Sequence, residues 1–277
     1  MKKISADKIK HTVADLCMRA NFRLREDVYS RLKNAYQSEK NSRAKELLEA
    51  ILRNADIAKM QRLAICQDTG MACVFAQVGQ ELHISGDLRK AINDGVRLGY
   101  KKGYLRDSIV RDPLLRGKSG YSPAIIHFEL VKGSRIKLTV LPKGFGCENK
   151  TRLKMFRPTA GIEEIKKFII ETVKNAGPDA CPPYIVGVGI GGTADYACLL
   201  AKKAMLKKLN AKRFGLYAKL EASLLKEINN LNLGPMGLGG KATALAVNIE
   251  TYPTHIAGLA VCVNLSCHAL RSATIIL

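Results

Sequence analysis

Ile65-Cys66-Gln67-Asp68-Thr69-Gly70 places a thiol, an amide, a carboxylate and a hydroxyl on four consecutive residues and closes them with glycine. A helical pattern runs up to this stretch, and the apolar run Met71–Val78 leaves it as a strand. The stretch is therefore read as a loop between two rigid elements, with Gly70 freeing the backbone to turn sharply. Reactive groups are commonly held on such loops. The plainer alternative is a polar turn carrying an inert cysteine.

On the N-terminal side, Ile9, Val13, Leu16, Cys17 and Ala20 recur at helical spacing. So do Val28, Leu32, Ala35 and Tyr36, and then Leu47, Leu48, Ile51, Leu52 and Ala55. Ser5 and Ser42 are candidate N-caps, Cys17 is read as core and His11 as surface. Residues 1–62 form a helical platform, and residues 1–277 are read as one domain.

On the C-terminal side, strands and helices are mixed. Pro123–Val131 and Arg135–Leu141 are strands joined at Lys132-Gly133-Ser134, and Tyr184–Ile190, Thr243–Glu250 and Ile256–Leu265 are further strands. Helices are expected over Leu88–Leu105, Ile162–Asn175, Ala194–Leu209 and Ala218–Leu231. Arg111–Ser122 reads as a basic, glycine-bearing loop. Pro142–Thr151 is a second glycine-rich loop, whose N–H groups and two lysines could hold an anion. The fold class is α/β, a helical platform followed by a mixed sheet region flanked by helices.

The chain has 277 residues, enough for a sizeable core. No apolar run is long enough to cross a membrane, and no signal core follows the basic start, so a cytoplasmic protein is expected. Eight cysteines without a Cys-x-x-Cys pair suggest reduced thiols, some of which could bind metal. The net charge of +21 points to anionic substrates, an acidic partner or nucleic acid. Much of the surplus lies on helical faces, at Lys202, Lys203, Lys207, Lys208 and Lys212, and no stacking aromatics are interleaved with it. A solvated lysine surface is the simpler reading, and nucleic acid is not expected.

Gly187-x-Gly189-x-x-Gly192 matches the dinucleotide fingerprint in form only. Its first two glycines lie within a strand, and no acidic residue ends a second strand about twenty positions on. Gly239-Gly240-Lys241 likewise fails the spacing of a phosphate loop, with Pro235 where glycine is required.

Cys66, Cys181 and Cys267 each sit in a turn or at the end of an element. Two prolines follow Cys181 and fix its backbone. These three thiols are too far apart in sequence for a local zinc module, but a whole fold could gather them. Soft thiolates suit iron–sulfur clusters, and three on a four-iron cluster leave one iron open as a Lewis acid. Structural cysteines are the competing reading.

Several further stretches complete a pattern in order along the chain. They are Leu105-Arg106 with Asp112-Pro113-Leu114, Pro142-Lys143-Gly144 through Glu148-Asn149, Cys181-Pro182-Pro183 and Gly187–Thr193, followed by Gly234–Lys241 and Val263-Asn264-Leu265-Ser266-Cys267-His268. With Cys66–Gly70, they resemble the alpha subunit, or N-terminal domain, of class I fumarate hydratases and L-tartrate dehydratases, which are iron–sulfur hydro-lyases. The resemblance implies a four-iron four-sulfur (4Fe-4S) cluster on Cys66, Cys181 and Cys267. It implies Asp68 and Gln67 at the substrate and His255 near the cluster as catalytic residues. Arg106, Gly146, Asn149, Lys150 and Thr151 match its substrate-side loops. It also implies a beta subunit, in a higher-order heteromer. Fumarate to malate is the first substrate choice and L-tartrate the second; a non-catalytic basic binding protein of the same fold is the alternative. Two departures bear on the substrate. Phe145 and Cys147 stand where the family usually has glycine and serine, and Gly117–Pro123 replaces an Asn-Thr-Gly-Asp-Asn-Thr-Pro loop.

Overall fold

The computed structural model describes residues 2–211 and 214–277; Lys212 of the lysine series lies outside them. The fold is α/β, as expected, and its contacts divide into two compact units. The first comprises Met1–Arg25, Asn54–Phe145 and Arg271–Leu277, and the second Glu26–Arg53 and Gly146–Leu270.

In the first unit, β1 (Lys2–Ser5) leads into α1 (Ala6–Phe22). Ser5 caps that helix as its sequence suggests, its hydroxyl accepting the Lys8 N–H at 3.2 Å. The face Ile9, Val13, Leu16, Cys17, Ala20 is buried, as the spacing predicts. It packs on α4 (Leu88–Lys102), where glycine is needed twice. A Cβ on Gly95 or Gly99 would lie 2.5 Å from the carbonyl oxygen of Lys10 or Ala14.

The main sheet of this unit is built on β2 (Met71–Gly79). It runs parallel to β6 (Ile125–Val131) and antiparallel to β7 (Ile136–Lys143), which pairs with β12 (Ala273–Ile276). The turn Lys132-Gly133-Ser134 therefore does not close a simple hairpin; β2 lies between the two strands it joins. The end of β2 plugs into the turn: the N–H groups of Gly79, Gln80 and Glu81 donate to the carbonyls of Arg135, Val131 and Gly133 at 2.8, 2.9 and 3.0 Å. Gly79 has no room for a side chain there, since a Cβ would lie 2.2 Å from the Gly133 oxygen. The apolar C-terminal tail becomes the edge strand β12. The short β3 (Leu82–Ser85) pairs with β1. The segment Arg111–Ser122, expected as a loop, instead contains most of a hairpin, β4 (Ile109–Asp112) against β5 (Arg116–Gly120). Asp112 turns that chain by accepting the N–H groups of Leu114 and Leu115 at 2.8 and 2.7 Å.

The second unit is built on β9 (Tyr184–Gly191), which is buried along its whole length. It is parallel to β10 (Ala244–Tyr252) and antiparallel to β11 (Leu259–Ser266), and β11 pairs with the edge strand β8 (Arg152–Phe156). Tyr184, Val186 and Val188 face the apolar sides of α6 (Ile162–Ala176) and α8 (Leu216–Asn229). The opposite face of the sheet packs on α7 (Ala194–Leu206), through Ala197 and Ala201 against Ala260 and Cys262. Gly187 and Gly189 point to α7, where a Cβ would lie 2.2 Å from the Ala201 oxygen and 2.0 Å from the Ala197 oxygen. These glycines serve close strand–helix packing, which is why the dinucleotide spacing arises without a dinucleotide site.

Two helices of the N-terminal platform are α2 (Glu26–Ser38) and α3 (Ser42–Gln61), the latter belonging to the second unit up to Arg53. Asn41, not Ser42, caps α3, accepting the Ala44 N–H at 3.0 Å. Glu39, 5% exposed, binds the N–H groups of Lys40, Asn41 and Lys241 at 2.9, 3.0 and 2.8 Å. Burial pushes its carboxyl up, but the three N–H donors outweigh burial and hold it below the usual range. A carboxyl lowered on folding stabilises above its unfolded pKa and loses that contribution as pH falls through the folded one. Glu39→Gln should cost about 1–3 kcal/mol at neutral pH and flatten the acid side of the stability profile, read by urea unfolding between pH 3 and pH 7.

Candidate functional site

The Cys66–Gly70 loop is tied to the first unit at its entry, at Asp68 and Thr69, and at its exit. On entry, the Ile65 N–H donates to Asn21 O at 3.0 Å, and Asn54 Nδ2 donates to Ile65 O at 2.9 Å. At the exit, Gly70 takes φ +73° over the backbone of Pro142 and Lys143, which a Cβ would meet at 2.9 and 2.8 Å. Tyr100, 2% exposed, points its hydroxyl between Thr69 O at 3.0 Å and Gly70 O at 2.9 Å. Burial pushes the phenol's pKa up, so it remains a donor. Thr69 Oγ1 accepts the Arg106 N–H at 3.1 Å, which fixes the Arg106 backbone to the loop while its side chain is exposed.

Asp68 is oriented from both sides. Its Oδ1 accepts the Gly70 N–H at 3.0 Å and its Oδ2 the Phe145 N–H at 2.8 Å. A Cβ on Gly144 would lie 3.0 Å from Oδ2, so the Lys143–Phe145 turn must carry glycine to approach the carboxylate. The guanidinium of Arg271 donates to the Asp68 carbonyl. Gln67 is exposed, and Cys66 and Asp68 are half-buried. The loop thus offers solvent a fixed carboxylate two residues from a thiol.

The second unit gathers another group. Cys181 adopts φ +57°, unusual for a side-chain-bearing residue, with Pro182 and Pro183 following it. The His268 N–H donates to Cys181 O at 3.4 Å, and His268 Nδ1 lies 3.2 Å from the same oxygen. This brings the Cys267–His268 turn onto the Cys181 turn. The Met236 N–H donates to Pro182 O at 2.8 Å, which seats the Gly234–Lys241 connection there too. The short helix α5 (Phe145–Glu148) contributes Gly146–Glu148 from the other direction. Cys147 donates its thiol proton to Ala180 O at 3.2 Å, and Lys150 pairs with Asp179 at 2.8 Å. Asn264 Nδ2 donates to Glu148 Oε2 at 2.9 Å and to Thr151 Oγ1 at 2.7 Å, and Glu148 pairs with Lys202 at 2.5 Å. Gly146, Asn149, Lys150, Thr151, Cys181 and Cys267 are therefore one neighbourhood.

A profile described as fumarate hydratase (Fumerase) matches residues 10–276. The chain belongs to the fumarate hydratase (Fumerase) family. It is 42% identical over 275 residues to a protein of Methanocaldococcus jannaschii named putative L(+)-tartrate dehydratase subunit alpha, covering 96% of each chain. It is 29% identical over 280 residues to the L(+)-tartrate dehydratase subunit alpha of Escherichia coli K12, covering 99% of this chain and 92% of that one.

In this Fumerase-family chain His255 stands apart from the thiols of its own unit. His255 lies exposed in the connection from β10 to β11, its Nδ1 accepting the Ala257 N–H at 3.2 Å. The connection packs on the far end of β9, where the Gly192 N–H donates to Pro253 O at 3.1 Å. Cys181 and Cys267 lie at the near end of β9, so the length of the strand, roughly 25 Å at about 3.3 Å per residue, separates them from His255. The sheet thus sets His255 and the two thiols at opposite ends of β9 within this unit.

Tyr100 and Arg271 hold the Cys66–Gly70 loop and Asn264 holds Glu148 and Thr151; the first two give no pattern signal, and Asn264 figures only within the stretch Val263–His268. Tyr100 lies on the apolar face of an amphipathic helix, where an aromatic reads as core. Arg271 lies in a short tail with no motif of its own. Asn264 carried a signal, an amide inside an otherwise apolar strand.

The chemistry of the thiols suits an iron–sulfur group. All eight cysteines are outside disulfides. Cys17, Cys73, Cys147 and Cys262 are buried, and burial pushes the thiols of Cys17 and Cys262 up, which disfavours the thiolate. Cys66, Cys181 and Cys267 are partly exposed, as is Cys198, which sits on α7 against Cys262. Among the described residues no three His, Cys, Asp or Glu side chains form a ready metal-holding group. Tyr100→Phe should leave the two loop carbonyls short of a donor. We expect a loss of about 1–3 kcal/mol in urea unfolding and faster hydrogen exchange at the Thr69 and Gly70 amides.

Proposed function

We propose that this chain is the alpha subunit of an iron–sulfur hydro-lyase that adds water to, or removes it from, a small dicarboxylate. Family membership supplies the reaction class. The observation that carries the reading to these residues is the doubly held Asp68 carboxylate, two residues from the Cys66 thiol on a pinned loop.

Cys66, Cys181 and Cys267 would hold a 4Fe-4S cluster, which when bound supplies Lewis acidity at one iron. Asp68 exchanges the proton with the substrate; its two N–H contacts fix the direction in which its remaining lone pairs face. Gln67, exposed beside it, hydrogen-bonds the substrate. The exposed guanidinium of Arg106, with Gly146 and Asn149, holds its carboxylates. Lys150 and Thr151 shape the Gly146–Asn149 turn through Asp179 and Asn264. His255 is the third catalytic candidate that the family resemblance supplies. Residues 1–277 act as one functional alpha domain, in the cytoplasm, where the thiols stay reduced. No helix among the described residues is long and apolar enough to cross a membrane.

The family description names fumarate, and the relatives' names favour L-tartrate as a second substrate. Those relatives are named as subunits, which supports a beta subunit and a heteromer. A partner covering part of the surface would also ease the charge of +21.

Iron analysis after anaerobic reconstitution tests the ligand set. Cys66→Ser, Cys181→Ser and Cys267→Ser should each lose the cluster, while Cys17→Ala, Cys73→Ala, Cys198→Ala and Cys262→Ala keep it. Full iron content in Cys181→Ser would refute the assignment. In the complex with its beta subunit, Asp68→Asn should keep the cluster and lose about 100- to 10,000-fold in turnover of fumarate or L-tartrate. Near-wild-type turnover would remove Asp68 from the mechanism.

A further inference from the structure

We propose that Arg271 is the counter-charge for an anion bound at the Cys66–Gly70 loop; this rests on the reading of that loop as the reaction site. Arg271 is 3% exposed. Its guanidinium donates to the Asp68 carbonyl, while its Nε is buried with no hydrogen-bond partner. No carboxylate among the described residues pairs with it. Arginine is almost never buried this completely without a partner, because removing the charge from water is costly unless an opposite charge answers it. A neutral carbonyl cannot supply that answer.

The only carboxylate on the loop, Asp68, directs its two oxygens to the N–H groups of Gly70 and Phe145. The charge of Arg271 is close enough to Tyr100 to favour its ionised form, although burial dominates there. A buried guanidinium with no carboxylate partner thus adjoins a loop on which a thiol, an amide and a carboxylate are at least partly exposed. The missing partner is an anion from outside the chain's own carboxylates. Two sources share that chemistry: a cluster with its thiolate ligands, or a carboxylate of the substrate.

The experiment uses the full chain, with and without cluster and with its beta subunit, as wild type, Arg271→Met and Arg271→Lys. In the cluster-free chain, Arg271→Met should unfold at the same or higher urea concentration than wild type, because it removes an unanswered buried charge. Clear destabilisation of that form, unrelieved in Arg271→Lys, would show a structural residue and overturn the proposal. This measurement needs no iron, so it stands even if the wild-type chain takes up no cluster and the proposed function fails. In the loaded chain, a cluster source predicts a more negative reduction potential in Arg271→Met and recovery in Arg271→Lys. A carboxylate source predicts an unchanged potential and dicarboxylate binding weaker by about tenfold or more, again recovered by lysine. If neither the potential nor the binding changes, the proposal is wrong.

Discussion

The hydroxyl of Tyr100, buried under two successive carbonyls, is the contact on which the candidate chemistry of the first unit depends. A loop carrying four polar side chains would ordinarily sample many conformations, and its backbone groups would be satisfied by water. Here the carbonyls of Thr69 and Gly70 are held from below by one phenol, and the hydroxyl of Thr69 holds the Arg106 N–H. The ends of the loop are fixed by two asparagines and by a glycine seated on β7. The backbone is thus held from the inside, while the side chains of Cys66, Gln67 and Asp68 stay at least partly exposed. Preorganisation of this kind lets a carboxylate act without first being ordered.

Close approach of backbones is the second constraint, and glycine meets it at each critical place. Gly144 lets a turn reach the Asp68 carboxylate, Gly79 lets β2 enter the Lys132–Ser134 turn, and Gly187 and Gly189 let α7 lie on β9. A side chain at any of these positions would meet a backbone oxygen or a carboxylate oxygen at 3.0 Å or less. Glycine patterns in this chain therefore report packing as much as ligand binding. The dinucleotide-like spacing in β9 is the clearest case.

The elements with strong periodicity were legible in the sequence. α1, α4, α6, β2 and β9 lie where their apolar spacing places them, because each buries a continuous face. Short strands without such a face were not legible. β4 is half-buried at two of its four residues, β5 is exposed and basic, β8 is a largely exposed edge, and β1 and β3 are four residues each. The strand order was also hidden, since insertion of β2 between β6 and β7 depends on contacts remote in sequence. At the site, polar residues in turns signalled the Cys66 loop and the Cys181 turn. Tyr100 and Arg271 gave no such signal, because burial, which makes them important, is not a property of the residue type. His255 was picked out only through the family resemblance; its place at the far end of β9 from Cys181 and Cys267 depends on strand pairing that no local pattern shows.

The proposed hydro-lyase joins a held carboxylate to thiols suited to an iron–sulfur cluster that would keep one iron for the substrate. Mössbauer spectroscopy of the iron-57-reconstituted chain with its beta subunit tests this most directly. The expected result is a four-iron cluster in which one iron changes its signal on addition of fumarate or L-tartrate while the other three do not. A protein that takes up no cluster, or a cluster whose four irons all ignore both dicarboxylates, would contradict it.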